Sequence, residues 1–151
     1  MTQNVVILIA DDDHGHARLI EKNLRRAGLS NAILRFEDGQ HILDFLFRRG
    51  EGGTHLHQDT PYLLLLDIRM PKVDGIEVLR QVKGDPTLRR IPVSMLTTTD
   101  DPREVERCHE LGCNNYLVKP VDYERFSEAI NKLGLFISLV QVPGAHKQVT
   151  P

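Results

Sequence analysis

The chain has 151 residues, of which 40% are hydrophobic and 26% are charged, and its formal net charge at pH 7 is −2. This length fits one globular domain, and the lack of a net basic charge argues against direct binding to nucleic acid or to an anionic membrane. No apolar run is long enough to span a bilayer and no basic segment opens the chain, so we expect a cytoplasmic protein.

Five short apolar segments alternate with segments that have the period of an amphipathic helix. The predicted strands are residues 5–10, 32–36, 62–66, 92–97 and 115–118. This alternation is typical of parallel strands covered by helices on both faces of the sheet. With right-handed crossovers, the (βα)5 order predicts a doubly wound α/β sheet, in which ligands bind beyond the carboxyl ends of the strands.

Apolar side chains three or four residues apart mark the helices between these strands. The stripes of the first, second, third and fifth helices are Ala17, Ile20, Leu24 and Ala27; Ile42, Phe45, Leu46 and Arg49; Ile76, Leu79 and Val82; and Phe126, Ile130 and Leu133. We expect the first helix to end at Gly28 and the fifth to begin at Asp122. The fourth has the sharpest start, because Asp101 can cap it, Pro102 suits its first position and Glu104 completes a capping box.

Acidic residues follow the first and third predicted strands directly. Asp11, Asp12 and Asp13 come after the first strand, and Asp67 comes after the third. Carboxylates this close repel one another, so either one of them keeps its proton or a cation neutralises them, and oxygen ligands suit a hard ion such as Mg²⁺. The simpler interpretation is that acidic residues cap a helix, as Asp13 can do for the first helix.

Two further polar residues end predicted strands at the same rim. Thr97 ends the fourth strand and Lys119 follows the fifth, which adds a hydroxyl group and a fixed cation beside Asp67. A pocket of this composition suits a phosphoryl group, whose oxygens the cations stabilise while ionised Asp67 attacks phosphorus. The sequence therefore predicts an aspartyl-phosphate site.

Four short motifs carry a resemblance to a known family. They are Asp11-Asp12, Asp67 with Met70-Pro71 and Asp74-Gly75 behind it, Leu96-Thr97-Thr98, and Tyr116 with Lys119-Pro120. Together they resemble the receiver domains of two-component response regulators, over about residues 4–133. The resemblance implies a flavodoxin-like sheet with strand order 2-1-3-4-5 and a receiver domain spanning residues 1–133.

The resemblance also assigns a metal site and a phosphoacceptor. Asp67 would be the phosphoacceptor and, with Asp12, a direct ligand of Mg²⁺ or Mn²⁺. Asp11 would be a ligand partly through water, and the backbone carbonyl of Arg69 would complete the protein ligands. Arg69 and Thr99 occupy the positions that tune the lifetime of the phosphoryl group in this family.

The remaining implied roles concern switching. Lys119 and Thr97 would contact the phosphoryl group, and the bond before Pro120 would be cis, placing the ammonium group. Thr97 and Tyr116 fill the positions of the family's switch pair. Phosphorylation would turn the Thr97 hydroxyl toward the phosphoryl group and let the Tyr116 ring move inward, which reshapes the surface of the fourth helix, fifth strand and fifth helix.

Other segments indicate the kind of receiver. The polar connection of residues 50–61, expected to be a surface loop, the 97–101 stretch and the apolar tail of residues 134–151 resemble single-domain regulators that work with phytochrome-type histidine kinases. Such a kinase would donate the phosphoryl group. We expect no output domain, because only residues 134–151 follow the receiver. The tail either lies across its own domain or is a dimerisation arm, and we favour a homodimer through the fourth helix, fifth strand, fifth helix and tail.

Three other functions compete with a phosphorylated switch. An aspartate-nucleophile phosphatase places a second Asp two residues after the nucleophile, where this chain has Arg69. A flavodoxin-like electron carrier needs a phosphate-binding loop after the first strand, where Asp11-Asp12-Asp13 would repel the flavin phosphate. A receiver that acts only as an unphosphorylated scaffold stays open. We expect a phosphoacceptor with slow self-dephosphorylation and not a turnover enzyme.

The histidines and cysteines receive plain interpretations. His14 and His16 lie just after the acidic cluster and are expected to face solvent, since imidazole suits softer ions than Mg²⁺. Cys108 and Cys113 are expected to be reduced thiols, because no disulfide framework or zinc-ligand spacing surrounds them.

Overall fold

The fold is an open parallel sheet with helices on both faces, given by a computed structural model that describes residues 5–50, 55–57, 59–120 and 122–139. The strands are β1 Val6–Ala10, β2 Ile33–Phe36, β3 Tyr62–Leu66, β4 Val93–Thr97 and β5 Asn115–Val118. The helices are α1 His14–Arg26, α2 Gly39–Leu46, α3 Gly75–Gly84, α4 Pro102–Leu111 and α5 Tyr123–Leu139. The strand order is β2-β1-β3-β4-β5 with every pair parallel, which confirms the predicted architecture.

The core is divided by the sheet into two apolar clusters. Ile7 and Ile9 of β1 point to the face that α1 and α5 cover, whereas Leu8 and Ala10 point to the face that α2, α3 and α4 cover. All five residues of β3 are buried, because this central strand is covered on both faces. The continuous leucine run after Tyr62 is therefore a consequence of the strand's central position.

The direction of winding changes between β1 and β3, and this change creates a crevice at their carboxyl ends. Ala10 pairs with Leu66 in the parallel register. The next residue of each strand is acidic, and the Asp67 N–H donates to the Ala10 carbonyl over 3.0 Å. Asp11 and Asp67 thus leave the sheet side by side.

One prediction about the segment after β2 is wrong, and another holds only in part. The second helix ends at Leu46, so Arg49 lies outside it; Arg48 has a left-handed φ of 58°, and the Arg49 N–H closes on the Asp44 carbonyl at 2.7 Å. The 50–61 connection is not wholly at the surface, because Leu56 is buried and its N–H donates to the Phe45 carbonyl over 3.2 Å.

The predicted ends of the other helices are largely confirmed. Gly28, with a φ of 93°, follows the end of α1. At the start of α5, the Glu124 N–H donates to the Asp122 carboxylate over 2.8 Å. The helix continues to Leu139, whereas residues 140–151 lie outside the described residues, so the dimerisation arm stays a prediction. Within the described ranges, no helix has the length and apolar character needed to cross a membrane.

Candidate functional site

Three carboxylates gather in the crevice between β1 and β3. Asp11, Asp12 and Asp67 each offer one oxygen, and these oxygens lie within 4.8 Å of one another. Asp11 and Asp67 are buried and Asp12 is exposed. Burial raises the pKa of Asp11, although the nearby Lys119 ammonium acts in the opposite direction. A buried cluster of this kind needs more positive charge, and its oxygens match the preference of Mg²⁺ or Mn²⁺.

Asp13, the fourth acidic residue of the predicted set, caps helix α1. The Asp13 side chain accepts the His16 N–H over 3.0 Å and caps the amino end of α1. The Asp13 N–H donates in turn to the Asp11 carboxylate over 2.9 Å. The capping interpretation therefore holds for Asp13, while Asp11 and Asp12 remain available to a cation.

Hydrogen bonds to both carboxylate oxygens fix the Asp67 side chain. Oδ1 accepts the Ile68 N–H over 2.7 Å and Oδ2 accepts the Lys119 ammonium over 3.0 Å. The backbone of Asp67 is in close contact with Gly75, the first residue of α3. Only glycine fits there, since a Cβ would lie 1.9 Å from the Asp67 carbonyl oxygen. Asp74 caps that helix by accepting the Glu77 N–H over 2.9 Å. The Asp-Gly motif therefore places α3 directly against the strand end.

Lys119 is buried at the centre of the site. Its Nζ lies 2.6 Å from Asp11 Oδ2 and 3.0 Å from Asp67 Oδ2, and it lies 3.1 Å from His16 Nδ1. The prediction that His16 faces solvent is wrong, because its side chain is only 35% exposed and contacts Lys119. No sequence signal marked this contact, which joins residues 103 positions apart.

The predicted cis bond between Lys119 and Pro120 is wrong. Among the residues that the structure describes, no peptide bond is cis. The trans form of an X–Pro bond is favoured by roughly 0.5–1 kcal/mol. With a trans bond the Lys119 ammonium already reaches both carboxylates, so the position of this group does not require the cis form.

The two predicted switch residues differ in how their polar groups are satisfied. Thr97 is fully buried, and its hydroxyl has no hydrogen-bond partner among the described residues. Leaving such a group unsatisfied costs about 1–3 kcal/mol. The Tyr116 hydroxyl instead donates to the Thr99 carbonyl over 2.7 Å, and burial raises the pKa of this phenol to about 12. Thr97 thus offers a free hydroxyl to a ligand, whereas Tyr116 is anchored.

Glu104 joins the two positions assigned to phosphoryl lifetime. Its carboxylate accepts the Thr99 hydroxyl over 2.6 Å and lies 3.4 Å from the Arg69 guanidinium. The capping-box prediction is only half correct: Asp101 caps α4 through the Arg103 N–H, but the Asp101 N–H donates to the Thr99 hydroxyl. Glu104 therefore ties the strand-end loops to α4.

Both cysteines are free and buried, as expected for structural thiols. Burial raises the pKa of Cys108 to about 11 and also raises the pKa of Cys113. Thiols in this state are poor nucleophiles. They take no part in the acidic site, because Cys108 is in the last turns of α4 and Cys113 precedes β5.

The chain is similar to known signalling proteins over most of its length. A family model for the response regulator receiver domain matches residues 7–131. The crystal structure of a response regulator receiver domain from Rhodospirillum rubrum is 48% identical, has a TM-score of 0.87, and is matched over 94% of this chain and 99% of that chain.

Two relatives carry more specific names. Response regulator Rcp1 of Synechocystis is 33% identical over 141 residues, which cover 93% of this chain and 94% of Rcp1. Its Mn²⁺-bound structure has a TM-score of 0.82, with 31% identity and coverage of 92% and 99%. The phosphorylated cyanobacterial phytochrome response regulator RcpA has a TM-score of 0.81, with 29% identity and coverage of 92% and 98%. The predicted resemblance to regulators of this group is confirmed.

Proposed function

The chain belongs to the response regulator receiver domain family, and from this premise we propose that Asp67 accepts a phosphoryl group from a histidine kinase. The observation that carries the proposal is the buried pair of Asp67 and Lys119, with 3.0 Å between Oδ2 and Nζ, beside two further carboxylates. A nucleophile, a fixed cation and a set of cation ligands meet there. Few structural roles need all three in one crevice.

The transfer follows from the groups that are present. A carboxylate oxygen of Asp67 attacks phosphorus as the bond to the donor breaks, and the electron pair of that bond leaves with the donor nitrogen. The Lys119 ammonium stabilises charge on the phosphoryl oxygens. The unsatisfied Thr97 hydroxyl is a donor for one of those oxygens.

A divalent cation fits the donor set of the crevice. Asp11, Asp12 and Asp67 would hold Mg²⁺ or Mn²⁺, together with the backbone carbonyl of Arg69. Three carboxylates lie beside one ammonium group here, and burial raises the pKa of Asp11, while the Asp67 carboxylate raises it further. When bound, the ion would add positive charge beside the phosphoryl oxygens. Rcp1, which is similar to this chain, has been solved in a Mn²⁺-bound form.

The signal would leave the site through the switch pair. Once the Thr97 hydroxyl donates to the phosphoryl group, it moves toward the crevice, and the Tyr116 ring gives up its bond to the Thr99 carbonyl to turn inward. Tyr116 belongs to β5 and Thr99 precedes α4, so the exchange alters the surface formed by α4, β5 and α5. Arg69 and Thr99 would tune how long this state lasts.

The proposed donor is a phytochrome-type histidine kinase. RcpA is a cyanobacterial phytochrome response regulator, and similarity to it supports a donor of the same class. The surface change would then recruit a protein partner, with no direct role for nucleic acid or membrane. A phosphatase that turns over phosphomonoesters is disfavoured, because Arg69 occupies the position of its second Asp.

The proposal is tested by labelling purified protein with acetyl phosphate and Mg²⁺ and measuring the mass of the phosphoryl adduct. Wild type should gain the adduct, chelation should prevent it, and Asp67→Asn should abolish it. Asp59→Asn is the matched control, because Asp59 is an exposed acid before the opposite end of β3. Undiminished labelling of Asp67→Asn would overturn the site assignment.

A second variant separates phosphorylation from switching. Lys119→Ala should still take up some phosphoryl group but should lose the change in the environment of Tyr116, followed by NMR of the tyrosine ring. A wild type that is never labelled, either by acetyl phosphate or by a phytochrome-type kinase, would favour the unphosphorylated scaffold.

A further inference from the structure

The Lys119 ammonium is held by three acceptors on different elements. An ammonium group has three protons, and Asp11 Oδ2, Asp67 Oδ2 and His16 Nδ1 lie 2.6, 3.0 and 3.1 Å from it. Two of these acceptors belong to the proposed cation site. The third is a side chain of α1 that has no assigned part in the transfer.

The contact with Lys119 corresponds to one tautomer of His16. Its Nδ1 accepts from an ammonium group when that nitrogen carries a lone pair and the ring proton is on Nε2. The same Nδ1 lies 3.5 Å from an Asp13 carboxylate oxygen. The Lys119 ammonium, 3.1 Å away, is the nearer of the two groups, and it is the one to which Nδ1 can act as an acceptor.

The ring itself is oriented by α5. The His16 and Phe126 ring centroids are 5.5 Å apart at an interplanar angle of 34°, and Phe126 is buried in the cluster beneath α1 and α5. The aromatic contact and the acceptor are therefore two separable properties of His16. A phenylalanine keeps the first and loses the second, whereas an asparagine keeps an acceptor near the Nδ1 position and loses the ring.

We propose that His16 is a positioning residue that anchors Lys119 when the other two acceptors are engaged. This inference rests on the proposed function. A cation held by Asp11 and Asp67 draws on their oxygens and repels the ammonium, and phosphorylation converts the Asp67 carboxylate to an acyl phosphate. The His16 imidazole keeps its lone pair in both events, because it suits softer ions than Mg²⁺ and is not the group that takes the phosphoryl group. It therefore keeps Nζ directed into the crevice while the phosphoryl group enters.

The first test reads the ammonium group directly. In unphosphorylated protein with and without Mg²⁺, the ¹⁵N-labelled Lys119 side chain should exchange its protons slowly in wild type and in His16→Asn. In His16→Phe with Mg²⁺ the exchange should be at least about tenfold faster, given the usual strength of a hydrogen bond to a charged group. Without Mg²⁺ the acceleration should be smaller, because Asp11 and Asp67 still hold the ammonium. His14→Phe is the matched control, because His14 is an exposed histidine of the same helix that contacts Glu37.

The second test measures the rate of labelling by acetyl phosphate with Mg²⁺. We expect a loss of about threefold to tenfold in His16→Phe and rates within about twofold of wild type in His16→Asn and His14→Phe. If His16→Phe fails to fold, His16→Leu replaces it, since leucine also lacks an acceptor and keeps apolar contact with Phe126.

Two results would overturn the anchoring role. One is unchanged proton exchange of Lys119 in a folded variant that lacks the acceptor. The other is a labelling loss in His16→Asn as large as that in His16→Phe, which would assign the effect to packing. The exchange measurement needs no phosphoryl transfer, so a failure of the proposed function at Asp67 is distinguishable from a failure of the anchor.

Discussion

Gly75 is where helix α3 meets the backbone of Asp67, the proposed phosphoacceptor. A Cβ at this position would lie 1.9 Å from the Asp67 carbonyl oxygen and 2.8 Å from the Ile68 Cα, both of which are backbone atoms. Gly75→Ala should therefore force the strand end and the helix apart, lowering the free energy of unfolding by about 3 kcal/mol. For a chain of this length, the melting temperature should fall by about 6–12 °C in calorimetry.

Gly84 provides the matched control for that substitution. It ends the same helix, and a Cβ there would meet no atom within 4 Å. Gly84→Ala should leave stability unchanged or raise it by up to about 1 kcal/mol, because alanine is the better helix former. Equal losses in the two variants would mean that the contact between Gly75 and Asp67 does not limit stability.

The buried Cys108 thiol should make the free energy of unfolding fall at alkaline pH. Burial raises the pKa of its thiol to about 11, so the folded chain keeps this proton at pH values where the unfolded chain has lost it. Its contribution to stability is present below the pKa of the unfolded thiol and is lost as pH rises through about 11. The free energy of unfolding by urea should fall by about 1 kcal/mol from pH 8 to pH 10 on account of this group. Cys108→Ala should show a slope shallower by that amount, and an identical slope would contradict the assignment.

At the residue scale, a contact was predictable from the sequence only where a local pattern marks both of its residues. Asp67 and Lys119 could be placed together in one crevice because each follows an apolar strand, and parallel strands bring their carboxyl ends to one edge. The contact between His16 and Lys119 depends on a rotamer and on the packing of α1 against α5. Neither leaves a periodic trace in sequence.

At the scale of elements, α4 is tied to the site through Glu104. Its carboxylate accepts the Thr99 hydroxyl over 2.6 Å and lies near Arg69, whose side chain is 69% exposed. Glu104→Ala should cost about 1–2 kcal/mol of stability and speed hydrogen exchange at the Asp101 amide, which donates to the Thr99 hydroxyl. Glu104→Gln keeps an acceptor for Thr99 and loses only an exposed ion pair, so it should cost under about 0.5 kcal/mol.

Glu106→Ala is the control for these variants, because Glu106 lies on the exposed side of the same helix. Hydrogen exchange at Asp101 should not change in it. If Glu104→Gln loses as much as Glu104→Ala, the pair with Arg69 rather than the bond to Thr99 carries the effect.

Element bounds were predictable where a local signal exists and not elsewhere. Asp101 and Gly28 mark helix ends through capping and a left-handed backbone, and both positions were identified from sequence. The end of α2 depends on a left-handed Arg48, a conformation that arginine rarely adopts. The spacing of the side chains gave no sign of it, so the predicted helix was too long. The burial of Leu56 needed knowledge of the neighbouring core, which the polar composition of its loop conceals.

At the scale of the whole molecule, the alternation of strands and helices sufficed for the class of fold. The strand order 2-1-3-4-5 came from the family resemblance, and the pairing of β1 with both β2 and β3 confirms it. What a pattern within one chain cannot supply is the state of association, because that depends on a surface complementary to a second copy.

The surface of α4, β5 and α5 is where we expect that second copy. β5 is an edge strand, and its Val118 is 42% exposed, the one large hydrophobic residue in the described part of the chain that is markedly open to solvent. A twofold contact would cover this side chain and the open strand edge. The unpaired backbone groups of such an edge can otherwise pair non-specifically with strands of other chains. A charge at this position would be buried without a partner in such a dimer.

Sedimentation at micromolar concentration tests this arrangement with four proteins. Wild type should sediment as a dimer. In Val118→Asp the dissociation constant of the dimer should rise by about tenfold or more, since an unpaired buried charge costs several kcal/mol. A chain lacking residues 140–151 should show a rise of similar size, because it loses the proposed dimerisation arm. Lys22→Glu, on the exposed face of α1, is the control and should not shift it. A monomer in all four proteins, phosphorylated or not, would exclude the dimer, and the proposed signal from Asp67 would then have to pass to a different protein.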